Sequence, residues 1–316
     1  MHKSGSMVPN EHLEREKGFI PVMIMPFDES GKIDYKSLSS IIEFYSESGA
    51  VGLFANCLSS EMFDLSPDER LDTTRFIVDA VNGFIPVVAT GNFGISIQEQ
   101  SDFVKRMYET GVDAVILSTS LLAKREEPHN EFVSNTADLI ERTNGIPLGF
   151  YECPFPYKRV VRPYELGLFL ESNRIVYYKD TSLDLDQVRS KIEVSRGFDF
   201  KLYDAYLGHA VKSLESGTDG LSCIQGNFFP EVIVWLCENY FNKNLQSDVD
   251  YVQDFLIKKM DIMHTAYPSV AKYFLRKRGI EITTFSRSNP ALDEQTARGI
   301  DKLFEEYKTL KEELGI

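Results

Sequence analysis

The sequence predicts an α/β protein, a (β/α)8 TIM barrel followed by a helical extension. From Gly18 onward a unit repeats eight times: a short apolar run, a polar turn and a segment with helical periodicity. The apolar runs do not alternate with polar residues, which is typical of parallel strands that helices cover. After Tyr240 the alternation stops and only helical patterns follow. Eight consecutive units favour closure into a barrel.

Each element is assigned from hydrophobic periodicity and from turn or capping residues. The predicted strands are Phe19–Met25, Val51–Ala55, Phe84–Thr90, Val112–Ser118, Ile146–Tyr151, Ile175–Lys179, Phe198–Tyr203 and Gly220–Ile224. The predicted helices between them are Tyr35–Ser48, Pro67–Val81, Ser96–Thr110, Asn130–Arg142, Pro163–Glu171, Asp184–Val194, Tyr206–Ser216 and Pro230–Tyr240. Asp34 is the expected N-cap of the first helix, and Ser66 with Glu69 forms a capping box for the second.

A doubly wound open sheet is the main alternative, but no Gly-x-Gly-x-x-Gly motif follows the first strand. After the eighth unit, helices are predicted over Asp248–Thr265, Ser269–Arg278 and Leu292–Leu314, with breaks at Pro268 and at Asn289-Pro290. We therefore divide the chain into a flexible N-terminal segment (1–17), a barrel (18–241) and a helical extension packed on the side of the barrel (242–316).

The composition restricts the possible partners. The 316 residues carry a net charge of −14 at pH 7, which argues against nucleic acid or an anionic membrane. No apolar run approaches the roughly 18 residues that span a membrane, and the N-terminus lacks the apolar stretch of a signal peptide. The four cysteines are widely spaced and form no metal-binding pattern. We expect a cytoplasmic protein with reduced thiols, no metal and a small-molecule substrate.

The sixth predicted strand closes on a lysine, Lys179, where the apolar run should end. Strand side chains alternate, so Ile175 and Tyr177 share a face with Lys179, while Val176 and Tyr178 lie on the other. If that second pair packs against the helices, the lysine points into the barrel. Desolvation there lowers its pKa and frees the amine as a nucleophile towards a carbonyl. Alternatively, the lysine caps the strand and reaches solvent.

Other strand ends carry polar residues, and barrel enzymes place their catalytic groups there. Tyr151 ends the fifth strand, and the turn after the second strand contains Ser59 and Ser60. A lysine beside a tyrosine suits imine chemistry, because the amine condenses with a ketone and the phenol carries protons. Taken alone, Tyr151 is also typical of an aromatic residue in a core.

These strand ends, together with further motifs in the same order along the chain, resemble those of the dihydrodipicolinate synthase/N-acetylneuraminate lyase family of Schiff-base lyases. The resemblance extends roughly from Gly18 to Pro290. It is carried by Gly18–Asp28, Ser60-Glu61 with Glu69-Arg70, Tyr151 with Pro154, Tyr178–Ser182, and Gly217, Gly220, Asn227 and Pro230.

The resemblance implies specific roles. Lys179 forms the imine and Tyr151 transfers protons, with no cofactor beyond the covalent imine. It also implies a homotetramer or homodimer. The expected substrate-binding residues are Leu58, Ser59, Ser60, Cys223 and Gln225.

Three positions depart from the family pattern. Leu58 replaces one hydroxyl of the Gly-Thr-Thr-Gly-Glu loop that binds the substrate carboxylate. Leu122 stands where that family has a relay tyrosine, which a neighbouring subunit supplies. Pro156 stands where the synthases place an arginine, with Lys158 and Arg159 as nearby cations. These departures argue against a lysine-pathway synthase.

Three functions stay open. The first, which we predict, is a class I lyase that forms a Schiff base between Lys179 and pyruvate or another 2-oxo acid and makes or breaks a carbon–carbon bond. The second is a dehydratase of a keto-deoxy sugar acid, of the 5-dehydro-4-deoxyglucarate type, that uses the same imine. The third is a ligand-binding descendant without turnover. Leu58 further predicts weak pyruvate affinity and a larger 2-oxo acid, whose tail contacts Leu122 and Phe155–Arg159.

Overall fold

The computed structural model describes residues 17–289 and 291–316. Within them, eight parallel strands pair in the order β1-β8-β7-β6-β5-β4-β3-β2. The two remaining edges meet just after β1, where Val22 forms a parallel bridge with Phe54. Backbone bonds of 3.0 Å, from Met23 N–H to Phe54 O and from Phe54 N–H to Pro21 O, complete this contact. The sheet therefore closes into the predicted (β/α)8 barrel.

The strands are short, and each overlaps its predicted apolar run. They are β1 Gly18–Phe19, β2 Leu53–Phe54, β3 Val87–Thr90, β4 Ala114–Ser118, β5 Leu148–Tyr151, β6 Ile175–Asp180, β7 Lys201–Asp204 and β8 Gly220–Leu221.

Helices follow every strand, and further helices complete the chain. They are α1 Tyr35–Glu47, α2 Pro67–Val81, α3 Ile97–Tyr108, α4 His129–Arg142, α5 Pro163–Leu170, α6 Leu185–Val194, α7 Ala210–Ser216, α8 Pro230–Asn239, α9 Gln246–Lys258, α10 Met260–His264, α11 Ser269–Lys277 and α12 Glu294–Leu314. Within the described residues, each of these helices is too short or too polar to cross a membrane.

Side-chain caps explain where the first helices begin. The Asp34 carboxylate accepts backbone N–H bonds from Lys36 and Ser37 at the start of α1. Ser66 and Glu69 form a reciprocal capping box at the start of α2. Each cap satisfies N–H groups that have no partner within the helix. Both caps are those that the sequence predicts.

Two predicted helices are divided in the structure. The Tyr206–Ser216 segment begins as a 3-10 turn at Leu207–His209 before α7. Asp204 holds this turn against the end of β7, because its carboxylate accepts from Tyr206 N–H at 2.9 Å and contacts His209 Nε2 at 2.8 Å. The Asp248–Thr265 segment forms two helices, α9 and α10, which meet at Lys259.

The predicted break at Pro268 lies between α10 and α11, as expected. The break predicted at Pro290 and the flexible segment predicted for residues 1–17, apart from Lys17, lie outside the described residues.

The core has two layers. Inward side chains of the strands fill the barrel, among them Phe54, Ile116, Tyr177 and Tyr203. A larger layer, which includes Phe150, lies between the strands and the surrounding helices. The inner layer places aromatic rings directly below the carboxyl ends of β5, β6 and β7.

A bulge in β6 corrects part of the predicted alternation. Leu148 of β5 pairs with Ile175, but Gly149 pairs with Tyr177, so Val176 is an extra residue in β6. A Cβ atom on Gly149 would lie 2.7 Å from the Tyr177 carbonyl oxygen, so the close approach of the strands requires glycine. As a result, Ile175 packs in the helix-facing layer and Val176 against the barrel interior. This is the reverse of the prediction, while the rest of β6 alternates as predicted.

The helical extension packs against the last barrel helix, where Phe255 of α9 and Tyr307 of α12 contact the Phe229 ring at the start of α8. It also reaches the loop that follows β2, at the carboxyl ends of the strands. Lys272 of α11 donates to the buried Glu61 carboxylate at 2.8 Å. Arg287 forms a two-pronged ion pair with Glu69, with both bonds at 2.8 Å. The extension therefore forms part of the barrel mouth.

Replacement of Lys272 tests this anchor. Lys272→Ala leaves the Glu61 carboxylate buried without its cation, and we expect a loss of about 3–5 kcal/mol in the free energy of unfolding. Urea denaturation measures this loss. The control is Lys36→Ala, which removes the exposed ion pair with Glu281 and should leave the denaturation midpoint nearly unchanged. Equal effects of the two substitutions would contradict an anchoring role.

Candidate active site

A cavity of about 550 Å³ opens at the carboxyl ends of the strands. Its wall combines the ends of β5 and β6, the turn after β2, the loops after β7 and β8, and the helical extension. Five of the predicted site residues line it, namely Leu58, Ser59, Tyr151, Lys179 and Gln225. The sequence-based prediction of a shared pocket at this end of the barrel is therefore confirmed.

Lys179 lies deep in this cavity. Parallel pairing places it directly between Tyr151 of β5 and Tyr203 of β7. Its Nζ atom lies 4.5 Å from the centroid of the Tyr151 ring and 5.8 Å from that of Phe54. The residue is 3% exposed, and within the described residues no carboxylate forms an ion pair with it.

Burial lowers the pKa of the Lys179 amine, because desolvation disfavours the charged form. The groups that interact electrostatically with it are three buried thiols, Cys57, Cys153 and Cys223. Without a carboxylate to hold the proton, a larger fraction of the amine is neutral, and the neutral amine is the nucleophilic form.

The Tyr151 phenol is suited to proton donation. Burial raises the pKa of Tyr151 well above its ordinary value, with a further contribution from the neighbouring Cys153. The phenol is therefore protonated at neutral pH, and it is positioned beside the lysine amine by strand pairing. It can give up a proton to a developing oxyanion and take one back.

The turn after β2 presents one hydroxyl to the cavity. Ser59 lines the cavity together with Tyr267. Ser60 instead points into the barrel wall, where its hydroxyl donates to Met23 O at 2.7 Å and also contacts Ala55 O. The prediction that Ser60 binds substrate is therefore corrected: its side chain stabilises the turn.

On the eighth strand, Cys223 and Gln225 have different surroundings. Burial raises the pKa of Cys223 to about 12, and the residue packs beside Lys179 without lining the cavity, which corrects its predicted substrate contact. Gln225 lines the cavity, and its buried Oε1 atom has no hydrogen-bond partner within residues 17–289 and 291–316. A buried acceptor without a donor is costly, so this oxygen is available to a ligand.

Comparison with known proteins identifies the family. A model of the dihydrodipicolinate synthetase family matches residues 15–303. The chain belongs to this family. Family membership supports aldolase-type lyase chemistry at a barrel of this kind.

Individual family members are distant. The 4-hydroxy-tetrahydrodipicolinate synthase of Bacillus velezensis is 25% identical over 260 residues, which cover 82% of this chain and 88% of that protein. YagE of Escherichia coli K12, described provisionally as a 2-dehydro-3-deoxy-D-gluconate aldolase, is 25% identical over 272 residues, or 84% and 88% of the two chains.

Solved structures share the fold. The crystal structure of YagE in complex with pyruvate matches with a TM-score of 0.82 and 21% identity, over 92% of this chain and 98% of that one. Dihydrodipicolinate synthase DapA-2 of Bacillus anthracis matches with a TM-score of 0.83 and 19% identity, over the same shares. At such identities the similarity shows the fold alone.

In this member of the dihydrodipicolinate synthetase family, some residues that were expected to contact the tail of a larger substrate do not face the cavity. Leu122 is buried in the helix-facing core layer, so its predicted contact with a substrate tail is wrong. The Arg159 guanidinium turns away from the cavity and donates to the carbonyls of Lys124 and Glu127, at 2.6 and 3.2 Å. Lys158 does line the cavity, and its Nζ donates to Thr181 O at 2.6 Å.

A buried ion cluster connects the strand ends that carry Tyr151 and Lys179. Lys191 of α6 donates to Glu152 and to Asp180, each at 2.6 Å, and all three side chains are fully buried. These carboxylates directly follow Tyr151 and Lys179 in sequence. Although burial opposes the charge, the two carboxylates raise the pKa of Lys191. We name this set the Lys191 cluster.

Local sequence patterns do not predict the residues that the extension contributes to the cavity and that α6 contributes to the ion cluster. Lys191 lies on a helix, and no local pattern marks it as a partner of the strand ends. The cavity residues from the extension are Met260, His264, Tyr267, Pro268, Ser288 and Asn289. Long-range contacts bring this segment to the mouth, among them the ion pairs of Lys272 with Glu61 and of Arg287 with Glu69. Such contacts leave no periodic signal in the sequence.

Two lysine-to-methionine substitutions should have opposite effects on stability. The folded state lowers the pKa of Lys179, so below the ordinary value of 10.5 the unfolded chain binds the proton more tightly. Lys179→Met removes this penalty, and we expect a higher melting temperature at pH 7. The difference should shrink as pH rises towards 10.5, because both states then lose the proton.

Lys191→Met is the matched comparison. It leaves two carboxylates buried without their cation, and we expect a loss of about 3–5 kcal/mol. Thermal melts of both variants at pH 7 and pH 10 measure these changes. A loss of stability in Lys179→Met as large as that in Lys191→Met would show that Lys179 is a paired structural lysine.

Proposed function

We propose that the protein is a lyase in which Lys179 forms a Schiff base with pyruvate or another 2-oxo acid, and which then makes or breaks a carbon–carbon bond. The observation that carries this proposal is the Lys179 amine, which lies buried at the bottom of the cavity, without a carboxylate partner in the described residues, beside the Tyr151 phenol. A binding site alone has little reason to desolvate an amine next to a phenol.

The proposed steps balance in atoms and charge. The neutral Lys179 amine adds to C2 of the 2-oxo acid, and the carbonyl oxygen takes a proton from Tyr151. The resulting carbinolamine passes a proton from its nitrogen to this oxygen, expels it as water and becomes a protonated imine. The imine withdraws electrons, so C3 gives a proton to the Tyr151 phenolate and an enamine forms. The enamine then adds to an aldehyde, or the reverse sequence cleaves the product.

The remaining wall groups support the orientation of a 2-oxo acid. Ser59 offers a hydroxyl to the substrate carboxylate, while Leu58 removes a second hydroxyl at this position. Gln225 offers a buried carbonyl oxygen to a substrate hydroxyl farther from C2. Pyruvate makes few of these contacts, and we therefore propose a larger 2-oxo acid as the physiological substrate.

The wall of the cavity supports an acceptor without a second carboxylate. Leu183, Leu207 and Met260 form an apolar part of the wall, and the lining residues in the described part of the chain include no arginine. The Lys158 ammonium, which also lines the wall, donates to the Thr181 carbonyl oxygen at 2.6 Å. A lysine-pathway synthase would need a cation such as an arginine for its dicarboxylate product. We propose that this enzyme is not such a synthase.

One relative favours carbon–carbon chemistry over dehydration. The name of YagE is that of an aldolase, which describes carbon–carbon bond chemistry, and YagE was crystallised with pyruvate. The imine itself supplies the electron sink, so we propose that no added cofactor takes part. The predicted homodimer or homotetramer stays a prediction.

Borohydride trapping tests the proposed function. Incubation with pyruvate and borohydride should add the mass of a reduced pyruvate imine, and peptide mapping should locate it at Lys179. Lys179→Ala should abolish this adduct. Lys158→Ala is the matched control, because Lys158 lines the same cavity, and it should retain the adduct.

Exchange of the C3 protons of pyruvate in D2O, followed by NMR, reports enamine formation without a second substrate. Tyr151→Phe should keep the adduct but slow this exchange by about 10²–10⁴-fold, because it removes a proton carrier. No adduct with any 2-oxo acid, or an adduct that persists in Lys179→Ala, would reject the lyase and favour a binding protein.

A further inference from the structure

Leu183 is held in a backbone conformation that leucine rarely adopts. It lies in the loop after β6, and its φ angle of +63° falls in the left-handed region. There the Cβ atom crowds the following carbonyl oxygen, a cost that glycine does not have. The side chain lines the cavity of the candidate active site, and the residue is 53% exposed. A leucine that keeps such strain beside a cavity points to a use for its side chain.

The neighbours of Leu183 hold this conformation in place. The N–H and the hydroxyl of Ser182 donate to Asp180 Oδ1 at 2.7 and 2.6 Å. The other oxygen of Asp180 accepts from Lys191 at 2.6 Å. Asp184 N–H donates to Ser182 Oγ at 3.3 Å, and the Asp184 carboxylate caps the start of α6. The backbone is therefore anchored both before and after the leucine.

Leu183 belongs to an apolar part of the cavity wall. Leu207 from the turn after β7 and Ile224 from the turn after β8 line the same cavity. Because β6, β7 and β8 are neighbours in the sheet, these three side chains lie along one side of the barrel mouth. Met260 of α10 also lines the cavity. We name Leu183, Leu207, Ile224 and Met260 the apolar wall.

Polar groups elsewhere in the cavity are largely engaged within the protein. Five polar lining side chains are hydrogen-bonded to other protein groups, namely Glu61, Lys158, His264, Ser288 and Asn289. A substrate tail with many hydroxyls would have to compete with these bonds. Gln225 Oε1, in contrast, is buried without a hydrogen-bond partner in the described part of the chain. A single hydroxyl can donate to this oxygen without such competition.

The proposed carbon–carbon step creates one hydroxyl of this kind. C3 of the enamine bonds to the aldehyde carbon, the aldehyde π bond opens, and its oxygen takes the proton that Tyr151 recovered from C3. Water then hydrolyses the imine, which releases a 4-hydroxy-2-oxo acid and the Lys179 amine. The new C4 hydroxyl suits Gln225, and the group beyond C4 suits the apolar wall.

We propose that Leu183 is a specificity-determining residue that selects an aldehyde with an apolar aliphatic or aromatic group. The enzyme then makes or cleaves 4-hydroxy-2-oxo acids with an apolar tail. This inference rests on the proposed lyase function and names the class of its second substrate. Leu183 acts by removing apolar surface of the tail from water and takes no part in the covalent steps.

Two aldehydes test this selection in the wild-type protein. Pyruvate is supplied with 3-methylbutanal, which has a branched apolar group, or with glyceraldehyde, which is hydroxylated. NMR follows the formation of the 4-hydroxy-2-oxo acid. We expect kcat/KM to be at least about 10-fold higher for 3-methylbutanal, because apolar contacts of this size give such discrimination. A preference for glyceraldehyde would overturn the proposal.

Leu183→Asn tests the residue itself. Asparagine is close to leucine in size and tolerates the left-handed conformation, but it replaces the apolar surface by an amide. We expect kcat/KM for 3-methylbutanal to fall by about 10-fold, with little change for glyceraldehyde. The borohydride adduct at Lys179 and the C3 exchange of pyruvate in D2O should keep their wild-type levels, because neither needs the aldehyde. Equal losses with both aldehydes would assign the effect to the loop backbone and contradict a selective role.

Leu168→Asn is the matched control. Leu168 of α5 is 57% exposed, similar to Leu183, and does not line the cavity. It should keep the wild-type preference between the aldehydes, and a loss of preference equal to that in Leu183→Asn would overturn the proposal. Wild-type protein without an adduct would reject the lyase function itself. An adduct and C3 exchange without discrimination between the aldehydes would reject only the role of Leu183.

Discussion

The arrangement of the active site depends on one buried cation, Lys191. Strand alternation sends Tyr151 and Lys179 into the barrel and sends the residues that follow them, Glu152 and Asp180, towards the helices. Lys191 contacts both outward carboxylates at 2.6 Å, and Glu152 also accepts from the backbone of the loop after β6 at 2.9 Å. The inward pair is therefore held in register by a cluster on the opposite face of the same strands.

The two buried lysines of this region have opposite electrostatic surroundings. Lys191 is held by two carboxylates, while Lys179 faces aromatic rings and thiols. Two carboxylates raise the pKa of Lys191, whereas burial lowers the pKa of Lys179. The extension adds a second polar set at the mouth, where the Lys272–Glu61 pair anchors it and Tyr267 lines the cavity. Together these features surround the proposed nucleophile with groups that can move protons.

The sequence was sufficient for features that depend on local alternation and insufficient for those that depend on distant contacts. The barrel and the inward direction of Lys179 follow from repeated strand–helix units and period-two alternation. The bulge at Val176 depends on how closely β5 approaches at Gly149, which no pattern within β6 reveals. The direction of the Ser60 hydroxyl depends on a 3-10 turn. The position of Tyr267 at the barrel mouth depends on long-range contacts such as the ion pair between Lys272 and Glu61, which are 211 positions apart. Each failure therefore concerns a contact that only the folded chain brings together.

A crystal structure of the protein after reduction with pyruvate and borohydride tests the central claim most directly. We expect continuous density from Lys179 Nζ to C2 of the reduced pyruvate, with the carboxylate within hydrogen-bond distance of Ser59 and C3 facing Tyr151. Density on Lys158, or an adduct whose carboxylate points away from the turn after β2, would contradict the assignment of Lys179 as the imine-forming residue of this site.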